Sequence, residues 1–178
     1  MYSFYHVGPD YHQIGDIIYP TFGPEYNQYD PAQDWITCGH NDQSTTNYHH
    51  SFGRWLMLSR EMVFENVRLT EFPGKPSRFK SVYACPTLPT MSEYLITTKK
   101  QYYKTIYKVT MVEPDSPVHY GDHSICFWKP GMKLPDVVGA AQRYWEGCCN
   151  PSEVITTSPF IIDDIVTKNV DLSPVPKR

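Results

Sequence analysis

Three segments far apart in the chain carry side chains that could work on one substrate: Phe4-Tyr5-His6-Val7, then Ser81-Val82-Tyr83-Ala84-Cys85 with Tyr94, then Ser152-Glu153-Val154-Ile155. A histidine, two tyrosines and a glutamate are what a site needs to break the nicotinamide–ribose bond of NAD+. Nicotinamide in NAD+ is a flat cation, so aromatic faces hold it by stacking and cation–π attraction, roughly 0.5–2 kcal/mol per face. Tyr83 and Tyr94 suit that task. As the bond stretches, positive charge grows on the ribose, and a carboxylate beside it stabilises the transition state more than the ground state. Glu153 is assigned that role, as glycosidases use carboxylates against a similar oxocarbenium-like state. His6 would hold a ribose hydroxyl, and Arg78, just upstream of Tyr83, would meet the pyrophosphate.

The order and spacing of these residues resemble the ADP-ribosyltransferases of the His-Tyr-Glu type, which include the diphtheria-toxin-like and poly(ADP-ribose) polymerase-like enzymes. That family has a Tyr/Trp-His pair on a strand, a turn with two tyrosines eleven positions apart, and a Glu leading into a strand. Here the matching pieces are Tyr5-His6, Tyr83 with Tyr94, and Ser152-Glu153-Val154-Ile155-Thr156. Residues 4–23 and the strand ending in Glu113-Pro114 are also similar to the small rifampin-type ADP-ribosyltransferases, which place their acid in the loop after that strand. Asp122 is therefore the second choice for the essential acid. Val7 stands where the family usually has a glycine whose backbone grips the nicotinamide amide, and Met91 where a serine is common.

The resemblance implies an α+β fold of two small facing β-sheets with peripheral helices and a central NAD cleft. It implies a mono-ADP-ribosyltransferase using NAD+ as co-substrate, with Glu153, His6 and Tyr83 catalytic and His6, Val7, Tyr83, Tyr94 and Arg78 binding the dinucleotide. The acceptor is left open among protein, nucleic acid and small molecule, and bacterial or phage effectors, toxins and resistance enzymes are the analogues by fold. The alternatives are a non-catalytic binder of single-stranded nucleic acid and an RNA 2′-phosphotransferase-like enzyme. For the binder, residues 97–108 interleave Lys99, Lys100, Lys104 and Lys108 with Tyr102, Tyr103 and Tyr107, and stacking rings between lysines grip single strands.

Composition sets the outer limits. At 178 residues the chain is expected to form one domain over 1–170 with a loose tail at 171–178, and a net charge of −3 gives no general attraction to nucleic acid or anionic membrane. No apolar run reaches membrane-span length and no secretory signal is visible, which points to the cytoplasm. The five cysteines read as buried reduced thiols. Cys38, His40, His49, His50 and the Cys148-Cys149 pair lack the usual zinc spacing, so no metal site is expected.

The elements that must position the site follow from pattern. A first strand near 3–7 carries His6, and the polar stretch from Tyr29 to Thr46 reads as a long loop or lid. Apolar residues at Trp55, Leu56, Leu58, Met62 and Val63 space as a helix over 52–64. Residues 78–85 read as a strand, followed by a helix carrying Tyr94 and capped by Thr90 or Ser92. A central strand begins near Thr105, a further strand is expected at 124–129, and a helix follows Pro135 with Asp136 as cap and Gly147 as terminator. Two closing strands run from Ser152 and Phe160.

Overall fold

The computed structural model describes residues 3–20, 45–98, 105–126 and 131–168. The polar stretch up to residue 44, the lysine–tyrosine segment 99–104, the second half of the expected 124–129 strand and the tail lie outside them.

Alternating strand sequences build two antiparallel sheets. In the first, β1 (Ser3–Gly8), β2 (Ile17–Ile18), β4 (Thr105–Met111) and β7 (Phe160–Lys168) lie in the order β1-β4-β7-β2. In the second, β3 (Val82–Ala84), β5 (Val118–Gly121) and β6 (Glu153–Thr156) lie in the order β3-β6-β5. One pair of backbone bonds joins them: Tyr5 N–H to Cys85 O at 2.9 Å and Cys85 N–H to Tyr5 O at 2.7 Å. With three α-helices among the described residues, α1 (Thr45–Glu71), α2 (Leu88–Thr98) and α3 (Leu134–Glu146), the chain is α+β.

Alternation along β6 sorts the core. Ile155 packs with Phe64 and Val67 of α1 and Val137, Ala140, Ala141, Tyr144 and Trp145 of α3, while Val154 packs between the sheets with Phe4, Tyr107, Val109, Phe160 and Ile162. The α3 stripe has the i, i+3, i+4, i+7, i+8 period of an amphipathic helix, and its two alanines let α1 approach closely. Trp145 Nε1 donates to the Phe64 carbonyl at 2.7 Å, tying the two helices together.

The helix ends have local causes. α1 runs past the expected 64 and stops at Glu71, before Pro73, which has no N–H to continue the ladder. Thr87, rather than Thr90 or Ser92, caps α2: its hydroxyl accepts the Thr90 N–H at 3.3 Å. Lys133 is the cap position of α3, where the Asp136 carboxylate accepts its N–H at 2.7 Å, and Gly147 ends the helix at φ 88°.

Of the strand expected at 124–129, the described residues 124–126 are not extended. Residues His123–Cys126 make a 3-10 turn, because Asp122 Oδ1 accepts the Ser124 N–H at 2.8 Å and folds the backbone back, and the strand lies earlier, at β5. Arg78–Lys80 is likewise a 3-10 turn leading into a strand that begins only at Val82. Among the described residues no helix is long and apolar enough to cross a membrane.

Gly121 is where β5 and α3 meet. A Cβ there would lie 2.4 Å from Cε2 of Tyr144, a ring fully buried and held at its hydroxyl. Gly121→Ala is expected to cost about 1–3 kcal/mol as overpacking, read as a lower urea midpoint with an unchanged slope. An unchanged midpoint would mean that α3 slides freely over β5.

Candidate functional site

β1 and β3 run antiparallel and are bonded at Tyr5 and Cys85; continuing that register would set Val7 opposite Tyr83. There the sheets part, and a side chain replaces the backbone link: His6 Nδ1 lies 2.8 Å from the Tyr83 carbonyl oxygen. A carbonyl only accepts, so Nδ1 carries the proton and the other tautomer is excluded. By strand alternation the Val7 N–H and C=O point the same way as those of Tyr5, away from β4 and toward the parting.

From that link a chain of contacts crosses the second sheet. The Tyr83 hydroxyl donates to the Arg78 carbonyl at 2.5 Å. Arg78 Nη1 donates to Glu153 Oε1 at 2.6 Å and Nε to Glu61 Oε2 at 2.7 Å. The Tyr144 hydroxyl donates to the same Glu153 oxygen at 2.6 Å. Arg60 adds a second cation, at 2.5 Å from Glu61 Oε1.

Arg78 is 6% exposed and Glu153 5%. A guanidinium so enclosed, with two carboxylates on it and the Tyr83, Tyr144 and Phe64 rings 5.3, 4.8 and 5.9 Å from its centre, is a structural cation. The expectation that Arg78 meets a pyrophosphate is corrected on that ground. Burial pushes the Glu153 carboxyl up, but the Arg78 charge, then His123 and the Tyr144 hydroxyl, outweigh it and hold the group below the usual carboxylate range. Glu153 is therefore ionised at neutral pH and serves as a fixed negative charge, not as a proton donor.

Tyr94 looks elsewhere. It stands on α2, packs on Cys85, Met91, Leu95 and Ile106 together with Tyr5 and Val7 of β1, and meets the edge of His123 at 4.9 Å between ring centroids. It lines an open pocket of about 570 Å³ between the start of α2, the 122–124 turn and residues 149–152. Tyr83 and Glu153 are not in its lining. The expected sandwich of one nicotinamide between Tyr83 and Tyr94 is thus not what the geometry offers, since the Tyr83 ring faces the Arg78 guanidinium. Pocket and ion cluster still adjoin, because Ser152 lines the first, Glu153 follows it in sequence, and His123 acts on the Glu153 carboxylate.

Asp122 belongs to the pocket wall. Its Oδ1 accepts from the Ser124 N–H at 2.8 Å and from Ser152 Oγ at 3.3 Å, and Ser152 Oγ accepts the His123 N–H at 2.8 Å, which clamps turn and loop together. Cys85 and Cys126 are buried as expected; Cys148 and Cys149 are exposed, beyond the end of α3, which corrects the reading of the cysteines. Burial, then Glu153, pushes the Cys85 thiol up to about 12, so it stays protonated and inert. Of the rings proposed to grip a nucleic-acid strand, Tyr107 is fully buried in the core and cannot stack on a base.

Glu61, Tyr144 and His123 were missed as parts of this region. Glu61 alone had a legible signal: it lies three residues before Phe64 and six before Val67, on the buried stripe of α1, where a carboxylate requires a cation.

An α+β chain of two sheets held at one seam, with a histidine across the seam and an ionised glutamate on the neighbouring strand, defines the class in structural terms. Residues 25–168 match the family described as protein of unknown function (DUF2441), and the chain belongs to that family. No curated protein matches its sequence.

Proposed function

We propose that this chain is an NAD-dependent mono-ADP-ribosyltransferase. The observation that carries the reading is the His6–Tyr83 link across the parting of β1 and β3, two strands from segments 77 residues apart, with Glu153 opening the strand paired to β3. Separate stretches thus put the histidine on the tyrosine's strand and the glutamate at the start of the strand next to it. Two small sheets meeting along a single pair of strands accord with the ADP-ribosyltransferase arrangement that the sequence resembles.

In this reading the Val7 backbone edge takes the nicotinamide amide, and the Tyr94 ring supplies one face for the pyridinium. Tyr83 acts by position: its carbonyl fixes the His6 tautomer and its hydroxyl ties down the Arg78 turn, while its ring stays under the guanidinium. His6 orients a ribose hydroxyl. Glu153, ionised and immobile, favours positive charge on the ribose as nicotinamide departs, and the rigid Arg78–Tyr144 frame means the carboxylate does not reorganise during the reaction.

The test is release of nicotinamide from NAD+ by the purified chain, read by chromatography. Tyr94→Leu keeps an apolar side chain against Met91 and Leu95 but removes the π-face, and should lower kcat/KM about tenfold. No release by the wild type, or full release by Tyr94→Leu, refutes the respective assignment.

A further inference from the structure

We propose that Cys148 and Cys149, in the connection between α3 and β6, form a redox modification site: the pair reacts with a small-molecule disulfide such as glutathione disulfide and closes to a vicinal disulfide.

Exposure selects the pair. Among the described cysteines, Cys85 and Cys126 are buried and Cys148 and Cys149 are exposed. Burial pushes both buried thiols up to about 12, so neither offers a thiolate at neutral pH. Cys149 lines the open pocket beside Asn150 and Pro151, which gives a dissolved disulfide a clear approach to its sulfur. Burial, then the Asp122 charge, raises the Cys148 thiol, which suits it to the second step.

Position gives the closure a consequence. Gly147 is fixed at φ 88°, its N–H donates to the Tyr144 carbonyl at 3.1 Å, and a Cβ there would lie 3.3 Å from the Tyr120 carbonyl oxygen. At the other end the Ser152 N–H donates to the Gly121 carbonyl at 3.0 Å, and Ser152 Oγ accepts the His123 N–H at 2.8 Å. Residues 148–151 between these anchors belong to no helix or strand, and the Pro151 ring locks its own φ. Adjacent Cα atoms lie about 3.8 Å apart, closer than the roughly 4.4–6.8 Å of ordinary disulfides, so the closed ring is strained and easily reduced again. With Gly147 held, that strain passes toward Asn150 and loosens the Ser152 clamp on the 122–124 turn, one residue before Glu153.

The exchange balances. The Cys149 thiol gives its proton to water and its sulfur attacks one sulfur of glutathione disulfide; that S–S bond breaks, and one glutathione leaves with the electron pair and takes up a proton. The Cys148 thiol then loses its proton and attacks the Cys149 sulfur, expelling the second glutathione, which is protonated in turn. The pair loses two electrons, and one glutathione disulfide becomes two glutathiones.

The test treats the reduced full chain with glutathione disulfide, alkylates it with iodoacetamide and maps the tryptic peptide 144–168, in which Cys148 and Cys149 are the only cysteines. The peptide is expected two hydrogens lighter and without alkylation, and dithiothreitol should restore both alkylation sites. Cys148→Ser, on an exposed residue, has no second thiol to close the ring and should stop at a glutathione adduct on Cys149. In the oxidised wild type the Ser152 and His123 amides should exchange with deuterium about tenfold faster by NMR, as the loss of one hydrogen bond allows. A fully alkylated wild-type peptide, a persistent glutathione adduct on it, or a link from it to another cysteine overturns the vicinal disulfide. Cys148→Ser without an adduct overturns Cys149 as the point of attack. A closed ring with unchanged exchange at Ser152 and His123 overturns its hold on the clamp.

Discussion

Arg78→Ala is expected to lower the unfolding free energy by about 3–5 kcal/mol, the usual cost of removing one partner from a buried ion pair. Arg78 joins three elements: through Nε and Nη2 it holds Glu61 of α1 at 2.7 and 3.3 Å, and through Nη1 it holds Glu153 of β6 and the Tyr144 hydroxyl of α3, both at 2.6 Å. Its loss strands two carboxylates that are 4% and 5% exposed, with only Arg60 left near one of them. Water solvates them poorly, and the helices and the second sheet lose their common anchor. Urea denaturation at pH 7 measures this, and a loss under 1 kcal/mol would mean that the cluster does not form in solution.

The pH dependence gives the same prediction a sign that packing loss alone would not produce. Burial pushes the Glu61 carboxyl up, but the charges of Arg78 and Arg60 overcome that and bring it from 4.5 down to about 2; Glu153 is lowered too. A group depressed on folding contributes its full stability above its unfolded value and loses it as pH falls through the folded one. The wild type should thus lose about 3 kcal/mol from Glu61 between pH 5 and pH 2, at about 1.4 kcal/mol per pH unit. In Arg78→Ala the sign reverses: an unpaired buried carboxyl takes up a proton on folding, so the variant should gain stability on going from pH 7 to pH 5. Parallel pH profiles for the two proteins would rule out the charged cluster.

Much of the frame is readable in the chain because its causes are local. The alternation around Tyr107 and Val109, the apolar run from Val154 and the α3 stripe from Val137 to Trp145 each face a core and have the matching period. The turn at His123–Cys126, within the expected 124–129 strand, shows the limit of that logic: apolar residues favour an extended chain, yet one carboxylate accepting the N–H two residues on makes a turn. The site divides in the same way. Order and spacing singled out His6, Tyr83 and Glu153; the fold bonds His6 to the Tyr83 carbonyl and pairs the strand of Tyr83 with the strand that Glu153 opens. That Glu153 is spent on Arg78, and that Tyr83 turns its ring to a guanidinium instead of a ligand, depends on Glu61 and Tyr144 arriving from two other helices, and no local pattern encodes such a meeting.

That shared role makes Glu153→Gln ambiguous by itself, since it removes a proposed catalytic charge and a counter-ion of Arg78 together. Its nicotinamide release is expected to fall by about 100-fold or more, the scale of losing a preorganised charge that acts on the transition state, and its stability should fall as well. Glu61→Gln separates the two effects. Glu61 shares the same guanidinium and is as deeply buried, but it lies on α1, away from the seam where His6 meets Tyr83. Its amide cannot neutralise Arg78, so Glu61→Gln should lose stability of the order seen in Glu153→Gln while each folded molecule cleaves NAD+ at the wild-type rate. Turnover normalised to the folded fraction from circular dichroism makes the comparison. If the two variants lose turnover equally once normalised, Glu153 is a structural counter-ion only, and the acid of the reaction must be sought at Asp122.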